Sequence, residues 1–201
     1  MSERIVIKIG GATLFQPNGL KKELCSLLSQ NQCAQVWLLV GGGDLVESMR
    51  TLHQIYPFLK EEEIHWRCVE LLDHTWAIAR EIVSPDHDIN NRVELELASR
   101  EGNNPGVLLV RVGSFYKRGD IDWIPSGWLP KLDWNTTTDA LAWLLGKIID
   151  ADRVILMKKC KCSPDWTIAE AAQRGIIDTE LARLVHSNPE KRPMVELKGV
   201  E

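Results

Sequence analysis

Apolar and polar residues along the chain fall into two alternating patterns. Short, continuously apolar runs read as buried strands: "RIVIKIGG", "QVWLLVGGG", "GVLLVRVG" and "DRVILMKK". Between them lie stretches with apolar residues at helical spacing. Leu20, Leu24, Leu27 and Leu28 predict a helix within Leu20 to Gln32. "DLVESMRTLHQIY" predicts a second, with Asp44 placed as its N-cap and Pro57 closing it. Glu61 to Val83 reads as one longer helix, followed by a break at "SPDHD". "INNRVELELASREGNNPG" is two-sided: Val93, Leu95 and Leu97 alternate like a strand, but its place before another strand favours a helix. "TTTDALAWLLGKIIDA" is a helix with cap candidates at Thr136 to Thr138. "DWTIAEAAQRG" is a helix ending at Gly175, and "PMVELKG" is a last short strand.

Strands that alternate with helices and are apolar on both faces predict an α/β protein. The expected form is a three-layer α/β/α sandwich around a mostly parallel central sheet. With 201 residues, 44% apolar and 26% charged, residues 1–201 suit one domain with a real core. A formal charge of -4 leaves no dominant basic face, which argues against a nucleic-acid or anionic-membrane partner. No apolar run reaches transmembrane length, and the start lacks a signal-peptide core. Five thinly scattered cysteines read as reduced thiols, so the expected location is cytoplasmic.

Ligands of open α/β sheets bind beyond the carboxyl ends of the strands. Both glycine clusters, Gly10-Gly11 and Gly41-Gly42-Gly43, stand there. Such a loop lets backbone N–H groups approach a ligand with no Cβ in the way, and a following helix offers further unpaired N–H groups. Together they suit a phosphate. Neither loop is a Walker loop, and neither matches G-x-G-x-x-G, so a Rossmann dinucleotide site is disfavoured. Lys8 lies inside a buried strand, where an unpaired ammonium is costly; something anionic should meet it. The irregular stretch "SFYKRGDIDWIPSGWLPKLDW" is long enough to be functional. Cys160 and Cys162 alone are weak evidence for a metal, and His65 and His74 do not share a helix face well, so no metal ligand is named.

"KIGGATL", "LLVGGGDLVE" and "WNTTTDALAWLLGKIIDADRVILMKK" together resemble the amino acid kinase superfamily, which includes acetylglutamate, aspartate and uridylate kinases. The resemblance spans Lys8 to Lys158. "HWRCVELLDHTWAIA", "WLPKLDWNTTTDALAWLLGK" and "GIIDTELARLV" look most like its short methanofuran-biosynthesis branch, which phosphorylates an aminomethylfuran-methyl phosphate. The resemblance implies an ATP-dependent kinase using Mg2+, a small-molecule acceptor and a homo-oligomer. It divides the domain into an acceptor-side half of about 1–130 and a nucleotide-side half of about 131–201. Lys8 resembles the lysine that holds the transferred phosphoryl group, Lys158 the second lysine on the nucleotide side, and Asp139 the acid that orients both. Gly10 and Gly11, with Lys158 and Lys159, would hold the nucleotide. Gly41, Gly42 and Gly43 would hold the acceptor, with Asp73, Trp66 and Trp134 as candidates for an amine on it. One departure stands out: where the family often reads K-D-x-D-G or K-V-D-G after the last of these strands, this chain reads "KKCKCSPDW". The alternatives are a kinase forming an acyl phosphate and a non-catalytic nucleotide-binding sensor or subunit on the same fold.

Overall fold

The structure is a computed structural model that describes residues 3–101, 104–163, 165–189 and 192–200. Its strands are β1 (Arg4–Ile9), β2 (Gln35–Val40), β3 (His87–Ile89), β4 (Gly106–Val110), β5 (Arg153–Lys158) and β6 (Met194–Gly199). Its helices are α1 (Pro17–Gln30), α2 (Asp44–Ile55), α3 (Glu61–Val83), α4 (Arg92–Arg100), α5 (Thr138–Ile148), α6 (Ile168–Gln173) and α7 (Thr179–Ser187). The strands form one sheet in the order β3-β4-β2-β1-β5-β6, and every pairing is parallel.

Side chains alternate across this sheet, so each strand feeds two cores. On one face Val6, Trp37, Leu39, Leu108, Val110, Val154 and Leu156 pack with α5, with Leu181 and Leu184 of α7 and with Leu95 of α4. On the other, Ile5, Ile7, Ile9, Val36, Leu38, Ile155 and Met157 pack with Leu20, Leu24 and Leu27 of α1 and Ala79 of α3. Each such side chain, fully buried, stabilises the fold by roughly 1.5–3 kcal/mol relative to exposure. These are the three layers expected. The long helix α3 joins both cores, through Trp66 and Leu72 on one side and Ala79 on the other.

Two local expectations are corrected and a third is met. The break at "SPDHD" runs into β3, whose three residues show no periodicity because only Ile89 is buried; it forms on the open edge of β4. The strand-like alternation of Val93, Leu95 and Leu97 misleads, and helix α4 forms as its position had favoured. Asn91 caps it by accepting from Glu94 N at 3.0 Å, and Val93 and Leu97 share its exposed side. Asp44 is not the cap of α2: Gly43 is, with Asp44 as the first helical residue. Its chain turns there with φ +53 and ψ -139, a conformation that favours glycine.

α5 sets the position of the site. Residues Thr138 through Gly146 are all buried, so this helix is clamped between the sheet and its neighbours. Its first turn therefore stands at the carboxyl edge, above β1 and β5. Among the described residues no helix is long and apolar enough to cross a membrane.

Candidate active site

Lys8 shares its face of β1 with Val6, and Lys158 shares its face of β5 with Val154 and Leu156. All of these face the α5 side. Two strands in neighbouring register therefore deliver two ammonium groups to the first turn of α5, where Asp139 waits. Lys8 Nζ lies 3.0 Å from Asp139 Oδ1, close enough to pair but off the line of a well-formed hydrogen bond. Lys158 Nζ donates to Asp139 Oδ2. Lys8 is 6% exposed and Asp139 2%. Burial pulls the Lys8 ammonium below the ordinary lysine value; Asp139 opposes this most strongly, and the charge of Lys158 adds to it. Burial pushes the Asp139 carboxyl up, but Lys8 and Lys158 outweigh it and hold it below the usual carboxylate range. Asp139 is thus an ionised counter-ion. Thr137, not Asp139, caps the helix, accepting from Asp139 N at 3.2 Å.

The two glycine loops meet each other. A Cβ on Gly11 would lie 1.9 Å from Gly43 N and 2.7 Å from Gly41 O. A Cβ on Gly41 would lie 2.8 Å from the Thr138 hydroxyl and 3.3 Å from Lys8 Cε. Side chains at these positions would wedge the loops apart and fill the space beside Lys8. Gly41 N extends the sheet ladder to Ile9 O at 2.9 Å. The first turn of α2 closes on Gly43 O, which accepts from Val46 N and Glu47 N. The amides ahead of Val46 have no intrahelical acceptor and suit an anion. At the first loop a 3-10 turn, Gly11–Phe15, separates β1 from α1, so Gly10 and Gly11 do not open an α-helix directly.

Two cavities flank the lysine–aspartate cluster. One of about 290 Å³ is bounded by Lys8, Gly11, Gly41 to Gly43 and Trp134. The other, about 800 Å³, is bounded by Lys158, Asp139, Asp178 and the turn from Gly175 to Ile177. Arg50 and Trp134 line both, with the guanidinium 5.6 Å from the indole centroid. Trp134 Nε1 donates to His53 Nδ1 at 2.6 Å. His65 also lines the smaller cavity. Its Nε2 is 3.0 Å from the Tyr116 hydroxyl, and burial lowers its pKa, so the ring is neutral near pH 7.

The structure brings Lys8, Gly11, Gly41, Gly42, Gly43, Trp134, Asp139 and Lys158 around these cavities, with Gly10 beside Lys8. Three candidates lie elsewhere. Asp73 forms a two-bond pair with Arg111, at 2.7 and 2.6 Å, beside a separate cavity near the ends of β3 and β4. Trp66 borders that same separate cavity and packs on Tyr116. Lys159 is exposed on the turn after β5 and lines neither central cavity. Both cavity walls draw residues from either side of position 130, so the two halves interleave at the site. Sequence reasoning gave no role to Arg50, His53, Asp133 or Asp178. The last lay within "GIIDTELARLV", already singled out, and its place before an apolar-periodic segment was a usable cap signal. Among the described residues no group of three or more His, Cys, Asp or Glu could hold a metal ion, and Asp139 and Asp178 already have their oxygens engaged. The described residues thus present no ready-made protein cage for Mg2+.

The all-parallel α/β architecture has a counterpart among solved structures. The chain has the fold of a uridylate kinase. The crystal structure of uridylate kinase from Archaeoglobus fulgidus matches 98% of this chain and 89% of its own, with 19% identity and a TM-score of 0.55. This is the amino acid kinase fold. No family model matches the sequence, and no curated protein matches it. At that identity the fold is what is shared; the activity has to be argued from the site.

Proposed function

We propose that this chain is an ATP-dependent kinase that transfers the γ-phosphoryl group to a small acceptor already carrying a phosphate. An aminomethylfuran-methyl phosphate, of methanofuran- or tetrahydromethanopterin-linked one-carbon cofactor synthesis, is the first candidate. One observation carries the reading: Lys8, Asp139 and Lys158 meet where two cavities of different size adjoin. Phosphoryl transfer asks the protein to align two substrates and to neutralise developing charge, and this arrangement supplies both. Lys8 would hold the moving phosphoryl group from the acceptor side and Lys158 from the nucleotide side. Glycine amides would complete each cradle. Magnesium would arrive with the nucleotide, held by its phosphates and water.

The protonation states favour an acceptor oxygen that is already anionic. Asp139 is locked between cations and held below the usual carboxylate range, which makes it a poor base. His65 has both ring nitrogens near partners, Tyr116 OH and Asp133 O. An alcohol acceptor would want a base, whereas a phosphate monoester attacks without one. The 290 Å³ cavity sits at the small end for ligand sites, which suits a compact acceptor. Asp73 does not border that cavity and pairs with Arg111 instead, so this reading gives it no part in recognising an amine. A carboxylate acceptor giving an acyl phosphate satisfies the same anionic requirement and is the second reading. The "KKCKCS" turn motivates a third, a sensor that binds nucleotide without turnover. The homo-oligomer and cytoplasmic location belong to the same proposal.

Purified protein with γ-labelled ATP and Mg2+ tests these readings against a panel of the aminomethylfuran phosphate, uridine monophosphate and small amino acids. Label in a diphosphate product supports the first reading, and hydroxylamine-sensitive label supports the second. Tight nucleotide binding with no label transfer, unaffected by Lys8→Ala, would replace both with the sensor.

A further inference from the structure

One carboxylate fastens two helix starts to each other. Asp178 caps α7, its Oδ1 accepting from Leu181 N at 2.5 Å. Its Oδ2 accepts three bonds from the start of α5: from Thr137 N at 2.9 Å, Thr137 Oγ1 at 2.6 Å and Ala140 N at 3.2 Å. Asp139 lies between those donors in the chain, and its own amide donates to Thr137 Oγ1. The Thr137 hydroxyl is therefore a relay: its proton points to Asp178 and its lone pair receives Asp139 N–H. Asp178 also borders the larger cavity, beside Lys158 and Asp139. An ordinary cap holds one helix with one or two bonds; this one holds four donors from two helices.

We propose that Asp178 is a positioning residue: through Thr137 it fixes the first turn of α5 so that Asp139 sits between Lys8 and Lys158. The proposal rests on the kinase reading for its functional meaning, but the alignment itself is independent of any acceptor. All four groups around Asp178 are donors, so a proton on its carboxyl must displace one of them. The donor with freedom to turn is the Thr137 hydroxyl, and turning it disturbs the relay to Asp139. Burial first, and the Asp139 charge second, push the Asp178 carboxyl up to about 6 against the pull of its hydrogen bonds. The groups facing it are Asp139, Lys158 and Lys8, whose ammonium the Asp178 charge helps to keep protonated. Only an ionised carboxylate is acceptor-only on both oxygens and so can receive all four of these donors at once.

The test follows the Asp139 carboxyl by 13C NMR in full-length protein labelled at aspartate, with Asp178→Asn and Thr137→Val as variants and Thr137→Ser as the conservative rescue. In the wild type the Asp139 resonance should show a step as Asp178 titrates near pH 6; in Asp178→Asn the step should vanish. In the same proteins kcat for phosphoryl transfer should fall about 10-fold or more in Asp178→Asn, with the nucleotide KM within about twofold and the acid limb near pH 6 lost. Thr137→Ser should restore both readouts, and Thr137→Val, which keeps the α7 cap, should show the defect if Asp178→Asn does not fold. An Asp139 resonance insensitive to Asp178, or wild-type kcat in both Asp178→Asn and Thr137→Val, overturns the proposal while leaving the kinase reading intact. A step at Asp139 that Asp178→Asn abolishes, in a protein inactive with every acceptor, supports the positioning role and overturns the kinase reading instead.

Discussion

Replacing Asp139 by Asn distinguishes two reasons for a carboxylate at the start of α5. A first-turn charge that only meets the helix dipole contributes about 0.3–1 kcal/mol. A counter-ion to a buried ammonium contributes more. The side chains of Lys8 and Asp139 are 7% and 2% exposed, and Lys158 reaches the same carboxylate. Removing one partner of a buried ion pair typically costs about 3–5 kcal/mol, because the remaining charge has neither water nor partner. Lys8 can relieve part of that by losing its proton, so about 3 kcal/mol is expected at pH 7. The pH dependence has a definite sign. Without Asp139, burial and Lys158 lower the Lys8 pKa further, with Asp178 left to oppose them. A base whose folded pKa lies below its unfolded value near 10.4 destabilises the fold at low pH, and the penalty fades as pH rises towards that value. The deficit of the variant should therefore shrink between pH 7 and pH 10. Urea unfolding followed by tryptophan fluorescence measures both quantities. A loss under about 1 kcal/mol, flat across this range, would refute the pairing and leave Asp139 a dipole charge. A Lys8→Met, Asp139→Leu, Lys158→Met triple variant, which leaves no ammonium without its carboxylate, should regain most of the stability and remain inactive.

Further outcomes follow from the same geometry. Lys8→Ala should lower kcat/KM for phosphoryl transfer about 100-fold or more, matching the roughly 2.7–4 kcal/mol of one preorganised donor, in initial-rate measurements. Gly11→Ala places a Cβ 1.9 Å from Gly43 N and should lower the melting temperature and abolish activity, whereas Gly127→Ala, with nothing within 4 Å, should do neither. Arg50→Met removes a guanidinium that faces both cavities and whose Nε has no partner. Losing one charge-assisted hydrogen bond of about 1.5–3 kcal/mol should raise a substrate KM by roughly 10- to 100-fold. The Asp178 carboxyl, raised to about 6, stabilises the fold most below its unfolded value near 3.9 and loses that contribution as pH rises through 6. Asp178→Asn should flatten this slope in unfolding measured from pH 4 to 7.

Much of the architecture was legible because parallel interior strands must be apolar on both faces, and β1, β2, β4 and β5 are. Parity made part of the site legible too: Lys8 and Lys158 each lie an even number of residues from apolar partners that face α5. The order of motifs placed Asp139 near them. What the sequence hid depends on through-space packing. β3 has one buried residue and forms only because β4 offers an edge. Asp73 stands one residue past Leu72, which packs beneath Gly42, yet that single step turns it towards Arg111. The glycines were read as space for phosphate, and part of their role is contact between the two loops, which no single stretch reveals. Asp178 is far along the chain from Thr137, and nothing local shows that one carboxylate serves two helices.

The central claim is that Lys8 and Lys158 converge on a phosphoryl group between the two cavities. A crystal structure of the chain with Mg2+ and a non-hydrolysable ATP analogue measures it directly. The account predicts the γ-phosphate within hydrogen-bonding reach of both ammonium groups, with the nucleotide in the larger cavity. A nucleotide whose γ-phosphate touches neither lysine, or that binds away from this edge of the sheet, would contradict it.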